Sequence, residues 1–192
     1  MAHDRKNNAR WLRTIGLIAA AACFSVMPLR RAVAQAGEYQ VKAAYLYQFL
    51  NFVVWPGHAF LAPDSPYEIC ILGTDPFGAE LDNTVRGKQV RGRSVHVQRL
   101  GSPASARHCQ ILFIAASERT RLPWILEAVA GLPLLTVSEL RDFEDRGGMV
   151  RFVVEHDNVR LRVNPDSSAA VGVQISSKLL SVSTVVRSRG GS

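Results

Sequence analysis

Four histidines, a pair of cysteines, one glycine-flanked turn and one acidic cluster are where chemistry would reside in this 192-residue chain beyond its first 36 positions. His58, His96, His108 and His156 stand alone. None has a second ligand at the i+2 or i+4 spacing that a zinc site requires, so each reads as a surface or turn residue and no metal is expected. Gly73-Thr-Asp-Pro-Phe-Gly78 follows an apolar run and precedes a helical pattern, where a doubly wound fold would put a phosphate loop. It matches neither dinucleotide nor P-loop spacing, and Pro76 removes an amide donor. It therefore reads as a tight strand-to-helix connection. No G-x-S-x-G elbow is present. Asp142, Glu144 and Asp145, flanked by Arg141 and Arg146, would attract a cation if they converged; a solvated helix end is the simpler reading. No catalytic group and no cofactor are expected, which leaves binding as the function.

Composition supports that view. Hydrophobic residues make up 47% and charged residues 20%, the balance of a globular domain with a proper core. The net charge of +7 suggests nucleic acid, but residues 1–36 hold Arg5, Lys6, Arg10, Arg13, Arg30 and Arg31 against Asp4. Little excess remains on the rest, and a nucleic-acid surface needs it there. The same 36 residues have a secretory layout: a basic start, an apolar run over 15–27, then small residues at Ala32-Val-Ala34 and Ala34-Gln-Ala36. The run is short for a membrane span. Residues 1–36 are read as a signal peptide cut after Ala34 or Ala36, residues 37–186 as one domain, and 187–192 as a flexible tail. Cys23 reads as filler in the apolar run.

Export changes the meaning of Cys70 and Cys109, the two cysteines left after cleavage. In an oxidising compartment such a pair favours a disulfide; two buried thiols are the alternative.

Several elements position these groups. Val41, Ala44, Tyr45, Tyr47, Phe49, Phe52 and Val53 recur as one broad helical face over Glu38–Val54, ended by Trp55-Pro56. Such an aromatic stripe is most simply core, and its Trp55 end, with His58, offers a shallow ligand groove. Strands are expected at Tyr67–Gly73, Val90–Leu100, Cys109–Ala116, Pro133–Val137, Gly148–Glu155 and Val159–Val163. Helices are expected after Asp75-Pro76, over Glu118–Ala130, from Ser138, and over Ile175–Val186. The alternation gives an α/β fold: a mainly parallel sheet of about six strands with helices on both faces. His156-Asp157-Asn158 closes an antiparallel hairpin near the C-terminus. Met149, Val150, Phe152 and Val154 of that hairpin, with Ile175, Lys178 and Leu179 of the final helix, are the candidate partner contacts.

The segment Glu38–Pro56, with its K-A-A-Y-L-Y-x-F…F-x-x-W-P pattern, resembles the opening helix of the YfiR-like periplasmic proteins. Ile69–Gly73, Cys109–Ile114, Gly147–Phe152 with Val163-Asn164, and Ile175–Leu180 follow in the same order as in that family. The resemblance implies a repressor that binds the periplasmic sensory domain of an inner-membrane diguanylate cyclase. That action lowers cyclic-di-GMP and biofilm formation. It also implies an outer-membrane lipoprotein that sequesters the repressor; a homodimer is expected too. Cys70 and Cys109 match one of the family's disulfides. A second family disulfide near the glycine-rich block has no counterpart, with Asp145 and Phe152 in that region. A ligand sensor with no cyclase partner is the alternative.

Overall fold

The structure, a computed structural model, describes residues 35–187. The expected signal segment lies outside them apart from residues 35–36, as does the expected tail beyond Arg187. A first helix, α1, covers residues 35–52. It delivers Ala43, Leu46, Phe49 and Leu50 to the core, with Val53 just beyond its end. Val41 and Ala44, expected on that face, are exposed, and Lys42 takes the inward position instead. The helix stops at Phe52 because the next residues join a ladder. Val53–Val54 (β1) pairs antiparallel with Gln174–Ile175 (β9), and Ser176 N–H donates to the Phe52 carbonyl.

The main sheet has eight strands, two more than expected. Its centre is parallel: Tyr67–Leu72 (β2), Arg93–Leu100 (β4), Ile111–Ile114 (β5), Leu135–Ser138 (β6) and Val150–Glu155 (β7). In space the order is β4-β2-β5-β6-β7, so the first parallel strand lies inside the second, as in doubly wound sheets. The apolar runs of β2 and β5, and the burial of every residue of β6, are the signature of strands covered on both faces. Along β2, Ile69 and Ile71 face one core and Cys70 and Leu72 the other. The first core holds α1 and Ala79–Val85 (α2); the second holds Leu122–Ala128 (α3) and Phe143.

The extra strands come from segments read as something else. Arg91 and Gly92, both at positive φ, turn the expected strand 90–100 back on itself, so Gln89–Val90 (β3) forms an antiparallel edge on β4. The expected final helix is only Ser177–Ser181 (α5), capped by Ser176. The chain then extends, and Thr184–Val185 (β10) pairs parallel with Asn158–Val163 (β8). Two β-branched residues that fit a pleated edge end the helix there.

The hairpin is as the sequence implies. β7 and β8 pair antiparallel from Val150↔Val163 to Glu155↔Asn158, and His156 and Asp157 both take positive φ, the requirement of a two-residue primed turn.

Helix starts differ from expectation. Ser138 ends β6 rather than capping a helix; its hydroxyl donates to the Ile114 carbonyl and accepts from Leu140 N–H. Asp75 caps no helix, because its carboxylate accepts the Phe77 N–H two residues on and α2 begins only after Gly78. The expected helix 118–130 opens as a 3₁₀ segment, Ala116–Arg121, and becomes α-helical at Leu122. Pro123 fits there because the second helical position needs no amide donor. Asn164 caps a short helix not expected from sequence, Pro165–Ala169 (α4), by accepting Ser167 N–H.

Candidate functional site

Cys70 and Cys109 form a disulfide with Cα atoms 5.9 Å apart. Both are buried, Cys70 on the second-core side of β2 and Cys109 two residues before β5, which pairs with β2 directly. The bond closes the segment that contains α2 and the β3–β4 edge. Next to it, a mixed hollow of about 200 Å³ is lined by Phe60, Glu68, Gln98, His108 and Cys109 among others.

The crevice where a doubly wound sheet holds ligands lies at the C-terminal ends of β2 and β5. Here it is filled by the chain itself. Ser117 Oγ accepts the Thr74 N–H at 2.9 Å, and a Cβ on Gly73 would meet that oxygen at 2.5 Å. The buried carboxylate of Glu118, 3.3 Å from Arg121 Nη1, stands on the same side. Two amides that an anion would require, Thr74 and Phe77, are already spent on Ser117 and Asp75.

Beside that turn, Arg99 from β4 forks onto α2. Its Nε donates to Asp75, its two terminal nitrogens donate to both Asp82 oxygens at 2.7 and 2.6 Å, and Nη2 also reaches the Gly78 carbonyl. These bonds hold the Asp82 carboxyl below its ordinary value of 3.8, against a smaller opposing effect of burial. A group whose folded pKa is depressed stabilises above its unfolded value and loses that contribution as pH falls through the folded one. Asp82 is 40% exposed, so solvent screens the pair. Asp82→Asn is expected to cost about 0.5 kcal/mol at pH 7. The loss should fade as pH drops below 3.8. Urea melts of both proteins at pH 3 and pH 7 check this; a gap that persists unchanged at pH 3 refutes it.

Two buried charges were not visible as such in sequence. Lys42 is 2% exposed, and its Nζ donates to Glu139 Oε2 at 2.5 Å. Tyr39 donates to the same carboxylate at 3.0 Å, and its ring lies 4.5 Å from the ammonium. Glu144, read from sequence as part of a solvated helix end, is fully buried. Arg151 lies on it at 2.7 Å and Arg162 at 2.5 Å. These two arginines are cross-strand neighbours on β7 and β8, so the hairpin presents them side by side to the loop that carries Glu144.

The candidate partner contacts divide. Met149, Val150, Phe152 and Leu179 are buried, and Phe152 stacks on Phe49 at 6.1 Å; their side chains build the core. Val150 and Phe152 are the inward half of β7's alternation, which faces α1, while Met149 precedes that strand and Leu179 lies on α5. Val154 is 48% exposed, Lys178 is exposed and Ile175 half-buried, so these three keep accessible surface. Trp55 is buried, with Nε1 donating to the Gln110 carbonyl at 2.9 Å, while His58 is exposed in a 3₁₀ turn. The indole is tied down by that bond, so the two do not form one open groove, and neither lines the hollow against Cys109.

The molecule is thus an α/β domain of doubly wound strand order, disulfide-tied between two central strands of its sheet and carrying an antiparallel hairpin towards one edge. A family model described as YfiR/HmsC-like matches residues 39–184, and this chain belongs to that family. The family is regulatory rather than catalytic, and periplasmic in general. Among solved structures, a conserved domain protein from Vibrio cholerae O1 biovar El Tor is similar with a TM-score of 0.52 and 8% identity, over 77% of this chain and 59% of that one. The chain therefore spans less than two thirds of that structure, and the likeness concerns the fold alone. The ABC domain in complex with L-Trp from Streptococcus pneumonia gives a TM-score of 0.47 and 10% identity, over 62% and 55% of the two chains. No described helix is long and apolar enough to cross a membrane.

Proposed function

We propose that this chain is a periplasmic repressor that binds the sensory domain of an inner-membrane diguanylate cyclase and so lowers cyclic-di-GMP and biofilm formation. The observation that carries the reading is the family match over residues 39–184. The closed Cys70–Cys109 pair agrees with an oxidising compartment. A repressor of this kind acts by holding its receptor in one conformation, which it does only through a difference in affinity for the two states. A hundredfold shift requires about 2.7 kcal/mol of preference. Val154, Ile175 and Lys178 are the candidate contacts that keep accessible surface for it. Homodimerisation and sequestration by an outer-membrane lipoprotein belong to the same proposal.

A second reading, a sensor of small ligands, is favoured by the hollow between Phe60, Glu68 and Cys109. The two are separable. Under repression, deletion of the gene raises cyclic-di-GMP several-fold, and the tagged mature protein captures a membrane cyclase from solubilised membranes. Unchanged cyclic-di-GMP together with no cyclase in the eluate overturns it. A small aromatic or amphiphilic compound that raises Tm in the absence of any cyclase partner supports the sensor.

A further inference from the structure

The sheet ends on an edge that is only half covered. β10 pairs with Arg162 and Val163 alone, and no other strand among the described residues lies against the outer side of Asn158–Leu161. In the hairpin ladder Glu155 and Asn158 close the turn as a pair. Alternate residues of β8 therefore bond inward to β7, while the N–H and C=O groups of Val159, Leu161 and Val163 point outward. Val163 shows this directly, since its carbonyl accepts the N–H of Val186. Thr184 N–H takes the Leu161 carbonyl in the same parallel ladder, which leaves the N–H and C=O of Val159 and the N–H of Leu161 with no strand to take them.

The side chains flanking this edge alternate in character. Arg160 and Arg162 lie on one face with Arg151; Val159 and Leu161 lie on the other with Val154. Arg162 is held by Glu144, but Arg160 is exposed and forms no ion pair among the described residues. Open edges are normally blunted by charge or by cover, and here a single unpaired arginine marks the middle of the gap.

We propose that the outer edge of Asn158–Leu161 takes up one extended segment of a partner protein as an added strand, acidic at alternate positions and apolar between them. The inference rests on the repressor reading and specifies where and how the partner docks. Main-chain bonds to Val159 and Leu161 give the attachment, and the alternation gives the selectivity. The acidic side chains lie over Arg160, and the apolar ones extend the Val154–Val159 strip. A second copy of this chain fits worse: antiparallel self-pairing centred on Arg160 sets Arg160 against Arg160, and like charges directly opposite are destabilising.

The test uses the intact oxidised protein and three labelled octapeptides read by fluorescence anisotropy. One alternates glutamate and valine, one alternates lysine and valine, and one is the acidic peptide with alternate amides N-methylated. The acidic peptide is expected to bind in a salt-sensitive way and to weaken about tenfold on N-methylation. Arg160→Glu, which keeps the wild-type Tm because the side chain is exposed, is expected to lose the acidic peptide and gain the basic one. Three results overturn the proposal: equal binding of the N-methylated peptide, no effect of Arg160→Glu, or a dimer in sedimentation that Arg160→Glu abolishes. If wild type and Arg160→Glu capture membrane cyclase equally while no peptide binds, the repressor reading stands and the edge does not. If the peptides behave as expected but no cyclase is captured, the edge stands and its partner is another protein.

Discussion

Reduction of the Cys70–Cys109 bond is expected to lower the unfolding free energy by about 4 kcal/mol. For a domain of this size that corresponds to a Tm lower by about 10 °C. The bond spans a sequence separation of 39 residues, and closing a loop of that length removes much of the freedom of the unfolded chain. The folded state contributes little to the difference. β2 and β5 are already paired in register from Ile69↔Ile111 to Leu72↔Ile114, so the two sulfurs are brought together by the sheet. Urea melts of oxidised protein, reduced protein and the Cys70→Ala, Cys109→Ala double variant measure the effect. Midpoints that coincide for oxidised and reduced protein would show that the bond does not restrain the unfolded chain. A thiol assay on exported protein, unfolded without reductant, should find no reactive sulfhydryl at either position.

Glu144→Gln should cost about 3 kcal/mol, because removing one partner of a buried ion pair leaves an uncompensated charge. Arg151 is the group left exposed to that cost, with only 14% of its side chain in contact with water. Arg162, at 36%, can turn to solvent. Glu144→Leu combined with Arg151→Met should recover most of the loss, since burying neither charge avoids the desolvation that the pair now offsets. Denaturation of Glu144→Leu, of Arg151→Met and of the double variant forms the cycle that isolates the interaction. Additive single effects would mean that Glu144 and Arg151 do not act on each other.

Sequence and structure agree where one pattern has one interpretation. Ile111–Ala116 is apolar without a break, and only a strand covered on both faces needs that. The hairpin turn was equally plain, since His156-Asp157-Asn158 separates two runs of β-branched residues. The final helix failed because Leu179, Leu180 and Val182 satisfy a helical period over five residues and a strand continues from them. The buried charges were hidden for a different reason. Glu144 stands among Arg141, Asp142, Asp145 and Arg146, so its neighbours in sequence suggest water. Its true partners, Arg151 and Arg162, meet only after the hairpin closes. The same limit applies to Val150 and Phe152. Alternation shows that one side of a strand is apolar, but not that α1 already occupies that side. Lys42 broke the helical face in the sequence, and no rule of spacing points to Glu139.

The Lys42–Glu139 contact carries a consequence for how the chain matures. The two residues are 97 positions apart, with four of the five parallel strands of the main sheet between them. As the polypeptide is synthesised from its N-terminus, α1 emerges long before β6. Until Glu139 follows, seating α1 against the sheet would strand an ammonium group away from water. The first helix to arrive is therefore among the last to settle, and the emerging chain stays unlocked until most of its length has been made.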